Sequence, residues 1–172
     1  MVSLLRTYGT AKWKRGLKAH LASVETLKKK YAREREMKRI PVKVADGQVI
    51  KLSPGGQNVL IERIIGDFCQ LFTGGGKLVH VGDTAEKWAY FDQPLLRSLG
   101  VTVEAHGKMP DVIVYVESKN WLVLIEAVTS HGPMNPKRRS ELQRLFKGCK
   151  AGFVFVTAFL DRASMVKFLN DI

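Results

Sequence analysis

Apolar residues recur along this chain at two periods, and the change between them marks its organisation. Leu17, Leu21, Val24, Leu27 and Tyr31 are spaced by three and four, while Lys28, Lys29, Lys30, Arg33 and Arg35 fill the other faces, which predicts an amphipathic helix. After Pro41 the spacing falls to two. Val42 and Val44, then Val49 and Leu52, lie on either side of Asp46-Gly47, a dipeptide suited to a tight hairpin. Ser53-Pro54-Gly55-Gly56 then leads into a second helical stripe of Leu60, Ile61, Ile64, Ile65, Phe68 and Phe72, closed by Gly74-Gly75-Gly76. The glycine triplet is no phosphate loop, because it trails a helix and no Gly-Lys-Ser/Thr follows.

The remainder alternates strands and helices. Leu78 to Val81 reads as a strand, Glu86 to Leu99 as mostly helix broken near Pro94, and Val101-Thr102-Val103 as an extended lead-in. Two strong strands follow, Val112 to Val116 and Trp121 to Val128, joined by a short polar link. Pro136 to Lys147 reads as a helix, Gly152 to Val156 as a buried strand and Ala163 to Leu169 as a closing helix. The pattern predicts an α/β domain with a mixed central sheet flanked by helices over residues 41–172, preceded by a basic helical arm over residues 1–40.

Composition adds a partner to this picture. Of the 172 residues 45% are hydrophobic, enough for a packed core, and no apolar run approaches a spanning helix. The opening Met1-Val2-Ser3-Leu4-Leu5-Arg6 lacks the apolar stretch of a secretory signal, so the expected location is cytoplasmic. Net charge is +12, of which +9 falls before residue 40. That excess is too one-sided for i,i+4 pairing and points to a polyanion, a nucleic acid or a membrane surface, with Tyr8 and Trp13 either inserting among phosphates or packing. Cys69 and Cys149 lie among apolar neighbours without zinc-ligand spacing and read as buried, reduced thiols.

The two strong strands carry the chemistry. A turn at Glu117-Ser118-Lys119-Asn120 pairs Val116 with Trp121, and continuing that ladder sets Asp111 opposite Glu126, Cβ atoms roughly 4.5–5.5 Å apart. Two carboxylates so placed repel unless a cation lies between them, a proton is shared or solvent screens them. Glu126 also ends the apolar run Trp121-Leu122-Val123-Leu124-Ile125, where packing alone does not call for a carboxylate. Asp111, Glu126 and the Ala127 carbonyl form a hard oxygen set suited to Mg²⁺. Downstream, Asn135 is placed to cap a helix that starts at Pro136, which crowds Lys137, Arg138 and Arg139 into the first turn. Cations there oppose the helix dipole and make sense if a phosphate docks at that end. His131 is a candidate proton shuttle.

These residues bring a resemblance into view. Met109-Pro110-Asp111 followed by Ile125-Glu126-Ala127 resembles the PD-(D/E)XK nuclease motif. The block from Gly107 through Thr129-Ser130-His131-Gly132-Pro133 to Lys137-Arg138-Arg139 is similar to the BsuBI/PstI family of type II restriction endonucleases. So are Leu52-Ser53-Pro54-Gly55 with Asn58, and Val81-Gly82-Asp83-Thr84 with the stretch from Lys87 to Asp92. The resemblance implies a restriction-endonuclease-like core, Mg²⁺-dependent cleavage of double-stranded DNA at a palindrome such as CTGCAG, a homodimer, and a cognate DNA methyltransferase as system partner. It also implies metal ligation by Asp111 and Glu126, with Glu62 on the first core helix as a further carboxylate. Family enzymes carry an additional, largely helical region ahead of this domain that the sequence does not include. Val128 stands where the superfamily motif usually has a lysine; Lys137 is the first candidate to replace it, with Lys87 and Lys108 as others. Asp83, at the end of a neighbouring strand, is a further candidate for the site. A repair or junction-resolving nuclease of the same fold and a non-catalytic nucleic-acid-binding protein are the alternative readings.

If the arm contacts DNA phosphates, replacing Lys28, Lys29 and Lys30 by Gln weakens duplex binding across sequences and flattens its dependence on salt, because fewer counterions are released. Affinities measured over a salt series check this; an unchanged slope assigns the arm to another role.

Overall fold

Helix α1 (Ala11–Met37) begins at a capping threonine: Thr10 Oγ1 accepts a hydrogen bond from the Trp13 N–H at 3.2 Å. Tyr8 and Trp13 pack edge to face, ring centroids 5.3 Å apart. Leu21, Leu27 and Tyr31 stand exposed. Lys29 meets Glu25 at 3.1 Å and Lys30 meets Glu34 at 4.0 Å, exposed pairs of little energetic weight. The computed structural model describes residues 5–44, 47–85, 88–102, 108–129 and 132–171; Asp46, Glu86, Lys87, Val103, Gly107, Ser130 and His131, singled out above, lie outside them. The chain divides into two compact units, Met1–Lys38 and Arg39–Ile172.

The second unit opens with the hairpin that the alternating valines predict. Strands β1 (Ile40–Lys43) and β2 (Val49–Leu52) pair antiparallel, Ile40 opposite Leu52 and Lys43 opposite Val49. Helix α2 (Gly56–Arg63) continues through a π-helical turn (Ile64–Phe68) into α3 (Cys69–Phe72). The wider turn offsets the drift of a four-residue repeat, and Ile61, Ile65 and Cys69 are all buried in one core. Burial pushes the Cys69 thiol up to about 11, while Cys149 is only half-buried rather than buried as expected; both are free.

Five strands form the main sheet: β3 (Lys77–Val81), β4 (Tyr90–Phe91), β5 (Val112–Val116), β6 (Trp121–Val128) and β7 (Gly152–Phe159), in the order β4-β3-β5-β6-β7. Only the β6–β7 pair is parallel. Alternation along β6 splits the core in two. Val123, Ile125 and Ala127 pack with α2 and the hairpin, whereas Leu122 and Leu124 pack with residues of α4 (Gln93–Ser98) and α5 (Pro136–Leu145). Burial on both faces explains why β5 and β6 read as continuous apolar runs. A short helix, α6 (Arg162–Val166), follows β7.

Three expectations differ from the structure. Residues 88–92 before α4 are not helical: Tyr90 and Phe91 pair with Val81 and His80 of β3, and Asp92 caps α4 by accepting from the Leu95 N–H at 2.9 Å. Pro94 therefore opens the helix instead of breaking it, as its missing N–H and fixed φ favour. Strand β7 runs to Phe159, three residues past Val156, because β6 pairs with it along its whole length, and as the edge strand it is half-buried rather than buried. Helix α6 ends at Val166, with turns beyond it, rather than at Leu169. Among the described residues, no helix is long and apolar enough to cross a membrane.

Of the glycine triplet, Gly76 serves packing. A Cβ at Gly76 would stand 2.7 Å from both the Thr73 carbonyl oxygen and Val114 Cγ1, whereas one at Gly74 would meet nothing nearer than 3.9 Å. Gly76→Ala should therefore lower stability by about 1–3 kcal/mol through overpacking against β5. Gly74→Ala should stay within about 0.5 kcal/mol of the parent. Urea titrations of both variants check the contrast.

Candidate active site

The β5–β6 ladder pairs Val116 with Trp121 and Val112 with Ile125, so the next step sets Asp111 against Glu126, as the turn arithmetic requires. Asp111 lies just outside β5, behind buried Pro110. Its carboxylate is held by the neighbouring strand and by a helix: Oδ2 accepts the Ala127 N–H of β6 at 2.7 Å and Oδ1 accepts Gln57 Nε2 of α2 at 2.9 Å. Glu126 is 17% exposed at its side chain. Its Oε1 accepts two bonds from one guanidinium, Arg138 Nε at 2.8 Å and Nη2 at 2.6 Å. Arg138 Nη2 also donates to the Met109 carbonyl at 3.2 Å, and Nη1 lies 3.6 Å from Glu141 Oε2.

This arrangement answers the repulsion between the acids. Burial pushes the Glu126 carboxyl up to about 7; the Arg138 charge pulls it back, and the charge and hydrogen-bond contact of Asp111 raise it again. The Arg138 counter-charge thus works against burial and the neighbouring acid. Among the described residues no group of three or more His, Cys, Asp or Glu gathers. The oxygens on hand are two carboxylates and the backbone beside them, a hard donor set that fits a magnesium-type cation completed by water.

Helix α5 supplies the positive charge. Asn135 Oδ1 accepts the Arg138 N–H at 2.9 Å, with Pro136 in the first turn, and the Met134 N–H donates to Thr157 Oγ1 of β7 at 3.1 Å, which ties the preceding loop to the sheet. The three basic side chains expected to converge there diverge. Lys137 is exposed and lines a depression with Glu126 and Lys108. Arg138 turns inward to Glu126, and Arg139 Nε donates back to the Met134 carbonyl at 3.2 Å. A second depression of about 300 Å³ lies on the Asp111 side, lined by Gln57, His80, Trp88 and Asp83, and shares Lys108 and Arg138 with the first. Burial lowers His80 to about 4, so this ring is neutral.

Other candidates stand elsewhere or do other work. Glu62 lies against the hairpin, beside Pro41, Val42 and Val49. It is five residues from Gln57, a rotation of about 140° around the helix, so the structure does not bring it to Asp111. The residue of α2 that reaches Asp111 is Gln57, which sequence reasoning missed; its place one turn before buried Ile61, on the apolar stripe, was the available signal. Asp83 lines the second depression, but its carboxylate accepts the Ser53 N–H (2.8 Å) and hydroxyl (2.7 Å), the Ala85 N–H (3.1 Å) and the Asn58 amide, a latch that fixes the start of α2. Val128 is buried opposite Phe159. Lys28, Lys29 and Lys30 are exposed on α1. His131 and Lys87 lie outside the described residues.

A five-stranded mixed sheet covered by helices, with one acid just before a strand and a second near the end of the strand beside it, is the architecture of a restriction endonuclease. The solved structure of the SdaI restriction endonuclease aligns with a TM-score of 0.75 at 34% identity, over 98% of this chain and 53% of that one. The chain belongs to the BsuBI/PstI restriction endonuclease domain family, whose model matches residues 40–172. It is 47% identical over 171 residues to the type II restriction enzyme BsuBI of Bacillus subtilis, spanning 99% of this chain and 54% of that enzyme. It is 32% identical over 176 residues to the type II restriction enzyme AplI of Arthrospira platensis, spanning 98% and 54%. The chain therefore spans about half the length of these relatives.

The raised carboxyl carries a stability signature. Glu126 is protonated more readily folded than unfolded, so its contribution is complete below the ordinary carboxylate range near 4.5 and is lost as pH rises through about 7. Glu126→Gln, which mimics the neutral form, should melt close to the parent near pH 4 and above it in alkaline buffer without divalent cations. Thermal melts at the two pH values check the sign.

Proposed function

We propose that this chain is the DNA-cleaving domain of a type II restriction endonuclease, which hydrolyses phosphodiester bonds of double-stranded DNA with Mg²⁺ at a palindrome such as CTGCAG. The observation that carries the reading is the meeting of Asp111 and Glu126 at the β5–β6 ladder, beside an exposed lysine at the start of a capped helix. Membership of the BsuBI/PstI family supports it.

In this mechanism Asp111 and Glu126 hold the cation. The Ala127 N–H and the Gln57 amide orient the Asp111 carboxylate before substrate arrives, so little reorganisation accompanies binding. When bound, Mg²⁺ supplies Lewis-acid stabilisation of a phosphate oxygen and acidifies water for in-line displacement of the 3′ oxygen. Lys137, exposed and facing the same depression as Glu126, takes the part of the lysine that the motif usually has at Val128: it orients the attacking water and offsets phosphate charge. Lys137 and Arg139 at the start of α5, together with Arg138 and the basic face of α1 around Lys28, Lys29 and Lys30, bind the DNA backbone through charge. Cutting both strands of a twofold site calls for a homodimer. The system partner is a methyltransferase that protects the same site, and the place of work is the cytoplasm.

Incubating supercoiled plasmid and linear duplex with the protein, with Mg²⁺ or chelator, tests the reading. Metal-dependent scission with one defined set of ends supports a restriction enzyme; preference for branched DNA supports a repair or junction nuclease; binding without scission supports a non-catalytic role. Asp111→Ala and Glu126→Ala should each reduce cleavage by more than about a hundredfold, beyond the loss typical of an outer-shell partner. Lys137→Ala should lower turnover about a hundredfold with little change in affinity. Full activity of Asp111→Ala overturns the two-carboxylate site, and lost affinity with unchanged turnover makes Lys137 a phosphate clamp.

A further inference from the structure

The guanidinium on Glu126 is more than a packing contact. Arg138 Nε and Nη2 converge on Oε1, and neither bond is made to Oε2. The side chain is 17% exposed and borders both depressions, so it stands between the Asp111 side and the Glu126 side of the site. Its backbone is pinned, since Asn135 Oδ1 holds the Arg138 N–H in the first turn of α5. A long side chain on a fixed base can swing without disturbing the helix. Glu141, whose carboxylate lies 3.6 Å from Nη1 and is 40% exposed, offers a second partner on the solvent side.

An arginine keeps its charge at every accessible pH. It therefore cannot share one carboxylate oxygen at short range with a divalent cation without strong like-charge repulsion. A cation at Glu126 therefore has three courses: it displaces the guanidinium from Oε1, it takes Oε2 beside a guanidinium that stays and repels it, or it is kept out.

We propose that Arg138 is an exchangeable counter-ion and positioning residue for Glu126: it holds the carboxylate ready while no divalent cation is bound and yields it when one binds. The inference rests on the reading of Asp111 and Glu126 as metal ligands. The released guanidinium, planar and doubly hydrogen-bonding, then faces the region where a DNA phosphate docks, its best alternative partner. By linkage, any group that draws Arg138 away strengthens cation binding, and the reverse holds equally.

Calorimetric titration of Mn²⁺ into DNA-free protein in alkaline buffer separates the two levels. The comparison is between the parent, Arg138→Met and Asp111→Asn, each checked for folding by circular dichroism. With exchange, Arg138→Met binds Mn²⁺ about tenfold more tightly than the parent, within the usual range of site coupling, and Asp111→Asn binds far more weakly. A merely structural role for Arg138 predicts equal or weaker binding in the Met variant, and that result overturns the exchange while the metal-site reading stands. Mn²⁺ binding that is unaffected by Asp111→Asn, or undetectable in the parent, overturns the metal-site reading and the exchange with it. Should Arg138→Met not fold, ¹⁵N-edited spectra of arginine Nε–H groups in the parent decide the matter. The Arg138 resonance, assigned with Arg138→Lys, moves towards its solvent-exposed position as Mg²⁺ is added. A resonance that stays fixed while Mg²⁺ shifts the backbone amides of Ala127 overturns the proposal.

Discussion

Everything at this site depends on a carboxylate that is costly to hide. Glu126 interrupts a strand buried on both faces, and taking a negative charge out of water next to Asp111 is stable only with positive charge or a proton in contact. That single requirement explains why helix α5 begins where it does. Its Asn135 cap and Pro136 fix the first turn, the Met134–Thr157 bond seats the loop on β7, and together they bring Arg138 onto Oε1. The parallel crossover from β6 to β7 through α5 is thus the route by which the counter-charge reaches the acid pair.

Asp111 is managed differently. It is partly open to solvent and is satisfied by neutral donors, one from the neighbouring strand and one from α2. Behind Gln57 stands the latch in which Asp83 gathers Ser53, Asn58 and Ala85. A carboxylate with several donors is a fixed point, and here it anchors the helix end from which Gln57 reaches out. Two acids that line the same depression therefore have opposite duties, Asp111 presented to the site and Asp83 committed to the scaffold.

The register of the acid pair was legible because a short link sets an antiparallel ladder's pairing, and the helical stripe from Leu60 to Phe68 was legible from its spacing, although Phe72, placed on the same stripe, is exposed. The Asn135 cap and Pro136 start could likewise be read from residue type alone. What escaped is what depends on rotation and reach. Glu62 and Gln57 differ by five places, which neither type nor polarity converts into a facing direction. Three consecutive basic residues in a first turn look alike in sequence, yet one is exposed, one turns inward and one bends back to a carbonyl. The short strand Tyr90–Phe91 was hidden for a related reason: two residues are too few for a periodic signal, and only the partner strand defines them.

The closeness of β5 and β6 along the chain also has a consequence in time. A hairpin with a short 3₁₀ link, Glu117–Lys119, closes within microseconds, whereas α5 and β7 must return across a longer loop before β6 gains its parallel neighbour. Sequence separation therefore favours a meeting of the two acids ahead of the arrival of Arg138. In that interval the growing nucleus carries an uncompensated pair of negative charges at its end, so the hairpin closes more readily when one of them holds a proton. The chemistry of the finished site is in this way already a term in the order of assembly.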